Sequence, residues 1–192
     1  MPRDGATFFE PQEWEFPANL GISNNDQLAA IRDDLLNKRN KFIRVAVPWA
    51  DVQIPGNSIG WLWSHSVMEH VDDIGHVWKC CAGWLSNDGV MTHNIDYQCH
   101  GLTKHWDGYR SINDLCWKIL RGRRPYLINR MPHSVQMELA KDCGFEISSE
   151  LIFVSAPDIP TSKLAPRFAS MTARDHETAM AFVTLVKSKN QI

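Results

Sequence analysis

The sequence predicts an α/β fold built on a mostly parallel sheet with an antiparallel edge, and three observations predict it. Short runs rich in Val, Ile, Phe and Trp alternate with segments whose apolar residues recur at steps of three and four. Turn-forming residues punctuate that alternation, as in "IPGNS" and "SNDG". The chain of 192 residues is long enough to bury a core, and 44% hydrophobic residues against 22% charged ones exclude a disordered class.

Taken in order, residues 1–25 are rich in Pro, Gly, Asn and aromatics and read as an irregular arm that packs through Phe8, Phe9 and Trp14. Asn25 or Asp26 caps a helix running to about Lys38, with Leu28, Ile31 and Leu35 on one face. These elements form an expected N-terminal region over residues 1–40, and residues 41–192 form the α/β domain. "FIRVAV" (42–47) and "IGWLW" (59–63) read as strands. Val67, Val71, Ile74, Trp78, Cys81 and Leu85 then make one apolar stripe, which predicts a helix from Ser66 to Leu85 with "SNDG" as its stop. In that reading Ser66 is the N-cap and Glu69 completes a capping box.

"VMTHNIDY" (90–97) reads as the next strand and Ile112–Leu120 as a helix. Pro132 opens another helix that Gly144 closes. "FEISSELIFVSA" (145–156) and "MAFVTLV" (180–186) are the last strands, expected to form the antiparallel edge.

A formal net charge of -2 gives no whole-chain reason to expect nucleic acid. No run of eighteen apolar residues signals a membrane span, and the opening "MPRDGATFFEPQEWEFP" lacks a basic segment followed by an apolar one, so the expected compartment is the cytoplasm. The five cysteines lack C-x-x-C spacing and read as reduced packing residues.

The chemistry-bearing residues gather in two places. "SHSVMEHVDDIGHVW" (64–78) carries three histidines among acids. His65 and His70 are five apart, which on a helix separates them by roughly 140°, so this pair predicts no zinc site. The second collection, His93, Asp96, Cys99, His100 and His105, has no recognised metal spacing either, and no metal is expected. Position says more than content: Ser64, His65 and Ser66 stand where a strand ends, and open α/β sheets bind ligands outside the carboxyl ends of their strands. Ser64, His65 and His93 are therefore expected to line one cleft. "KILRGRRPYLINR" adds a local basic patch of Lys118, Arg121, Arg123, Arg124 and Arg130, read mainly as a solvated helix end and secondarily as recognition of an anionic acceptor.

"WADVQIPGNSIGWLWSHSVMEHVDDIGHVWKCCAGWLSNDGVMTHNIDY", followed by "CGFEI" and "LAPRFASMTARD", resembles the second half of a class I S-adenosylmethionine-dependent methyltransferase, over about residues 42–187. The family's pattern runs acid, "LP", strand, "S-x-x-V-L-E-H-V", helix, "L-x-P-G-G", strand. The resemblance implies a partial Rossmann-like methyltransferase sheet and S-adenosylmethionine as cofactor. By position, Asp51 and Val52 match the family's adenine contact, and Ser64, His65 and Ser66 match the loop beside the sulfonium and amino acid portion. His93 or Asp96 would then be the general base. Asn94, His100, Trp106, Tyr109 and Arg130 would line the pocket of a small-molecule acceptor.

Gly60 stands where the family has Asp, and "LSNDG" replaces "L-x-P-G-G". The family's G-x-G-x-G is absent from residues 1–60, as is a strand ending in the acid that holds the ribose, so a truncated domain is expected. The strand 59–63 then lacks its central neighbour. Either the arm and "FIRVAV" cover that edge or the chain self-associates through it. Two other readings remain open: a non-catalytic binding or assembly module on the same fold, and a metal-dependent hydrolase using His93, His100 and His105.

Overall fold

The computed structural model describes residues 25–37 and 53–189. The chain divides into two compact units, Met1–Gln53 and Ile54–Ile192. In the first, helix α1 spans Asn25–Leu36, where the sequence placed a helix, with Leu28 and Leu35 exposed. Phe8, Phe9, Trp14, "FIRVAV", Asp51 and Val52 lie outside the described residues.

The second unit is α/β. Its elements are β1 (Ile59–His65), α2 (Ile74–Trp84), β2 (Leu85–Asp96), α3 (Asp114–Arg121), α4 (His133–Asp142), β3 (Phe145–Val154), α5 (Ala173–Glu177) and β4 (Thr178–Lys187), with short 3-10 turns between them. The sheet order is β1-β2-β4-β3. β1 and β2 run parallel, and β4 runs antiparallel to both β2 and β3. This is the mixed sheet with an antiparallel edge that the sequence predicted. Among the described residues, β1 has β2 as its one sheet neighbour.

Because side chains alternate along a strand, the register sorts the sheet into two faces. Met91, His93 and Ile95 of β2 pair with Leu185, Val183 and Ala181 of β4, and all six are buried. Against this face pack Ile74, Trp78 and Cys81 of α2 with Met137 and Ala140 of α4. The other face carries Trp61, Trp63, Phe182, Leu151 and Phe153, all exposed. A second, smaller core of Cys99, Tyr109, Trp117, Ile128, Ala165 and Phe168 holds the long connections together.

Three expectations need correction. α2 begins at Ile74, not at Ser66: Asp73 is its N-cap and accepts from the His76 amide at 2.9 Å, while Val71 is extended. Residues Met68–His70 form a 3-10 turn instead, because the Asn129 side chain donates to the carbonyls of Met68 and Val71, each at 2.9 Å, which a continuous helix would need for itself. Pro132 stands as the N-cap residue of α4, with His133 as its first helical residue. Finally, β2 starts at Leu85 and runs through "SNDG". The register jumps from Ile59↔Leu85 to Trp61↔Val90, so Ser86–Gly89 forms an excursion within the strand rather than a turn before it.

Gly89 lets that excursion close. A Cβ there would stand 2.9 Å from the Ile59 carbonyl oxygen and from two carbons of Leu85. Gly89→Val should therefore destabilise the domain by about 1–3 kcal/mol, read as a lower denaturant midpoint; an unchanged midpoint would show that the excursion has room to spare.

Candidate functional site

The parallel pairing of β1 and β2 brings two strand ends side by side. Ser64 pairs with His93 and His65 with Asn94, and the Ser66 amide extends the ladder to the Asn94 carbonyl at 2.9 Å. Immediately beyond, the backbone takes unusual conformations. Ser66, His100, Tyr126 and Arg130 have φ of 50°, 50°, 60° and 63°. Each such residue costs on the order of 1–3 kcal/mol, and strain of this kind concentrates at functional sites.

The 3-10 turn after β1 places Glu69 and His70 over the end of β2. Asn129 clamps this turn: its amide donates to the Glu69 carbonyl at 2.6 Å, in addition to its two side-chain bonds. Its Oδ1 accepts from the Met131 amide, which fixes the clamp in turn. Glu69 is 2% exposed, and neither of its carboxylate oxygens has a hydrogen-bond partner. Burial, and secondarily the Asp96 charge, pushes its carboxyl up to about 7. His70 and His100 approach the same oxygen, each with Nε2 3.9 Å from Glu69 Oε1, and their rings lie 5.0 Å apart. Burial and the neighbouring His100 lower the His70 pKa.

Asp96 closes the group. Its Oδ2 is 3.9 Å from His100 Nε2, and its Oδ1 accepts from the Gln98 amide at 2.9 Å. Asp96 and His100 also line a depression of about 320 Å³ with Gln98, Cys99, His105 and Trp106. Behind the site, the buried Tyr97 hydroxyl is hydrogen-bonded to His133 Nδ1 at 2.8 Å, and His133 Nε2 to Glu150 Oε1 at 2.6 Å.

Of the residues named from the sequence, Asp96, His100 and Trp106 gather at the depression. Others do not. His65 and His93 point to opposite faces of the sheet, so the expected cleft lined by Ser64, His65 and His93 does not form. Ser64 bonds His93 Nδ1 at 2.7 Å on the core face, while His65 Nδ1 accepts from Asn94 Nδ2 at 3.1 Å on the other. His93 is fully buried, edge-on to Trp78 with ring centroids 5.2 Å apart, and so is withdrawn from any acceptor as a base. Tyr109 belongs to the smaller core and accepts from Arg110 Nε at 3.2 Å.

Arg130 is structural rather than an exposed anion binder. Its guanidinium bonds the Tyr109 and Ile112 carbonyls and Asp114, and stacks over Trp117 at 4.6 Å. Burial lowers its pKa to about 10. Glu69, His70 and Asn129 are what the sequence reading missed, because it assigned the first two to a helix start.

His93 carries a pH signature. Burial lowers its pKa to about 4 from 6.5, so its contribution to stability is complete above pH 6.5 and is lost as pH falls toward 4. That difference corresponds to a loss on the order of 3 kcal/mol. His93→Gln should flatten this acid-side decline in denaturation measurements between pH 7 and 4; an unchanged slope would place the titration elsewhere.

No family model matches the chain, and no curated protein matches it. Among solved structures, a Galdieria sulphuraria protein provisionally assigned as a sarcosine dimethylglycine methyltransferase is 18% identical with a TM-score of 0.49, over 84% of this chain and 66% of that one. An S-adenosylmethionine-dependent methyltransferase from Mesorhizobium loti is 13% identical with a TM-score of 0.45, over 70% and 64%. Phosphoethanolamine N-methyltransferase 2 of Haemonchus contortus, in complex with S-adenosyl-L-methionine, is 15% identical with a TM-score of 0.42, over 71% and 35%. The chain thus spans under two thirds of the length of these structures, and at these scores the similarities carry no argument about activity. Among the described residues no helix is long and apolar enough to cross a membrane.

Proposed function

We propose that this chain supplies the acceptor side of an S-adenosylmethionine-dependent methyl transfer. The observation that carries the reading is strand order and direction. The motifs resembling a methyltransferase's second half fall on a parallel pair followed by an antiparallel edge, the arrangement that resemblance implied. The carboxyl ends of that pair are where such a sheet binds ligands.

The described residues fit part of the cofactor. Asn94 Oδ1 is a buried acceptor without a hydrogen-bond partner, beside His65 and the left-handed Ser66, and suits an ammonium group. Asn94, His65 and Ser66 would hold that portion. The cofactor supplies an electrophilic methyl group. This chain's part is to align a small-molecule acceptor in the depression, with Asp96 receiving the proton that an oxygen or nitrogen nucleophile releases. A G-x-G-x-G loop is absent from the sequence, so this chain alone should bind the cofactor weakly, and the side of β1 that has no strand neighbour among the described residues is where strands carrying such a loop would pair.

Calorimetry with S-adenosylhomocysteine tests this on the full chain and on a fusion that places a strand, G-x-G-x-G loop, helix and strand from a complete methyltransferase ahead of Met1. The chain alone should show no binding tighter than about 1 mM, and the folded fusion should bind in the low micromolar range, about -8 kcal/mol. A folded fusion with no affinity sinks the methyltransferase reading. Micromolar binding by the chain alone would instead show that residues 1–53 provide the missing contacts.

A further inference from the structure

We infer that Glu69, His70 and His100 form a binding site for one divalent first-row transition-metal ion. The inference rests on side-chain geometry and stands whether or not the chain takes part in methyl transfer.

The donor atoms of the three residues all lie within 4.8 Å of one another. Each imidazole Nε2 stands 3.9 Å from Glu69 Oε1, too far for a hydrogen bond. At metal–ligand bonds of about 2.0–2.2 Å, two ligands of one ion stand roughly 3.4 Å apart at a tetrahedral angle and roughly 4.2 Å apart across it. Both Glu69–histidine spacings fall between these, as expected of ligands arranged around an ion, and the third pair lies within 4.8 Å.

The carboxylate supplies the second argument. Glu69 is 2% exposed and both its oxygens lack hydrogen bonds, and a buried carboxylate is retained when it is paired or coordinates a metal. The facing imidazoles stand too far from it to donate a hydrogen bond, each Nε2 lying 3.9 Å from Oε1. A divalent cation would satisfy all three groups at once, with Glu69 ionised and both histidines neutral. Asp96, 3.9 Å from His100 Nε2, brings a second negative charge beside the trio.

The donor set also selects the metal. Two imidazoles with carboxylate suit zinc, cobalt or iron in the divalent state, whereas magnesium and calcium prefer all-oxygen shells. Three protein donors leave at least one coordination position open. His70 and His100 are about one third exposed, at 28% and 33%, and His100 lines the depression, so solvent or a ligand's oxygen can reach the ion. Local spacing hid this site from the sequence. The pair that spacing argues against is His65 and His70, whereas the set that converges joins adjacent residues after β1 to one residue after β2.

The test uses the full chain, stripped with chelator and titrated with Co²⁺ alone by absorption spectroscopy, then competed with Zn²⁺ and with Mg²⁺. One equivalent of Co²⁺ should give a visible d–d spectrum without a thiolate charge-transfer band, displaced by Zn²⁺ and not by Mg²⁺. Glu69→Gln and His100→Ala, each checked for a native circular dichroism spectrum, should weaken binding about 100-fold or more. His105→Ala and Cys80→Ser should leave it unchanged; the second removes the thiol 3.5 Å from His76 Nε2, a thiol–imidazole pair away from the trio. Glu69→Gln keeps side-chain shape and removes a buried charge, so it should fold at least as well as the parent. Retained affinity in a folded Glu69→Gln protein, loss of binding in Cys80→Ser, or no spectrum at all would overturn the inference.

Discussion

The parallel backbone ladder between β1 and β2 is the constraint on which the rest of the unit depends. Parallel strands end together, so the connection leaving β1 and the connection leaving β2 start side by side. The polar groups of the candidate site stand at the ends of those two strands, in the connections that leave them, or in the loop 122–132 that closes over them. Ser66 extends the ladder by one bond to Asn94, and its positive φ then turns the chain so that Met68 and Glu69, adjacent in sequence, are both buried. Asn129 holds that turn from the loop side with three hydrogen bonds. Without the ladder, Glu69 and His100 would have no reason to meet.

The same ladder decides which residues share a face, and here the sequence was legible only in part. The neighbouring of β1 with β2 and the antiparallel pairing of the last two strands followed from motif order, whereas the insertion of β4 between β2 and β3 did not, and most elements were found within a few residues. The expected meeting of His65 with His93 failed because two constraints act together. Register pairs Ser64, not His65, with His93, and side chains one residue apart leave opposite faces. A resemblance carries position along the chain but does not say which face a position takes. The buried, alternating pattern of Met91, His93 and Ile95 did hold that information: His93 sits in phase with two apolar residues and therefore belongs to the core.

The misread helix start has a different physical origin. Val67, Val71 and Ile74 fit a helical period, and Ser66 with Glu69 fits a capping box, yet both patterns are local. What overrode them is a side chain far along the sequence, Asn129, which takes up carbonyls a helix would use. A better cap was also available, since Asp73 lies one residue before an uninterrupted apolar stripe of Ile74, Trp78 and Cys81. Competition from distant hydrogen-bond partners cannot be seen in a window of eleven residues. For the same reason "SNDG", a good turn sequence by composition, could be absorbed into a strand as an excursion once Gly89 allowed Leu85 and Ile59 to close over it.

Comparison of the buried charges separates structural groups from the candidate site. Arg110 is 2% exposed, and all three of its nitrogens donate: to the Tyr109 hydroxyl and to the carbonyls of His176 and Thr178. Arg130, equally buried, bonds two carbonyls and Asp114 and rests on Trp117 and Phe168. These two cations are held by carbonyls, a carboxylate or hydroxyl, and aromatic faces, which is how a structural buried charge is tolerated. Glu69 is buried to the same degree, and its carboxylate oxygens have no hydrogen-bond partner; two imidazole nitrogens stand 3.9 Å from Oε1. Gln136 is also buried without hydrogen bonds at its amide, but it is neutral, and its desolvation costs about 1–3 kcal/mol. An ionised carboxylate left in that state costs far more than a neutral amide, and the two imidazoles converging on the same oxygen are arranged to share a cation with it.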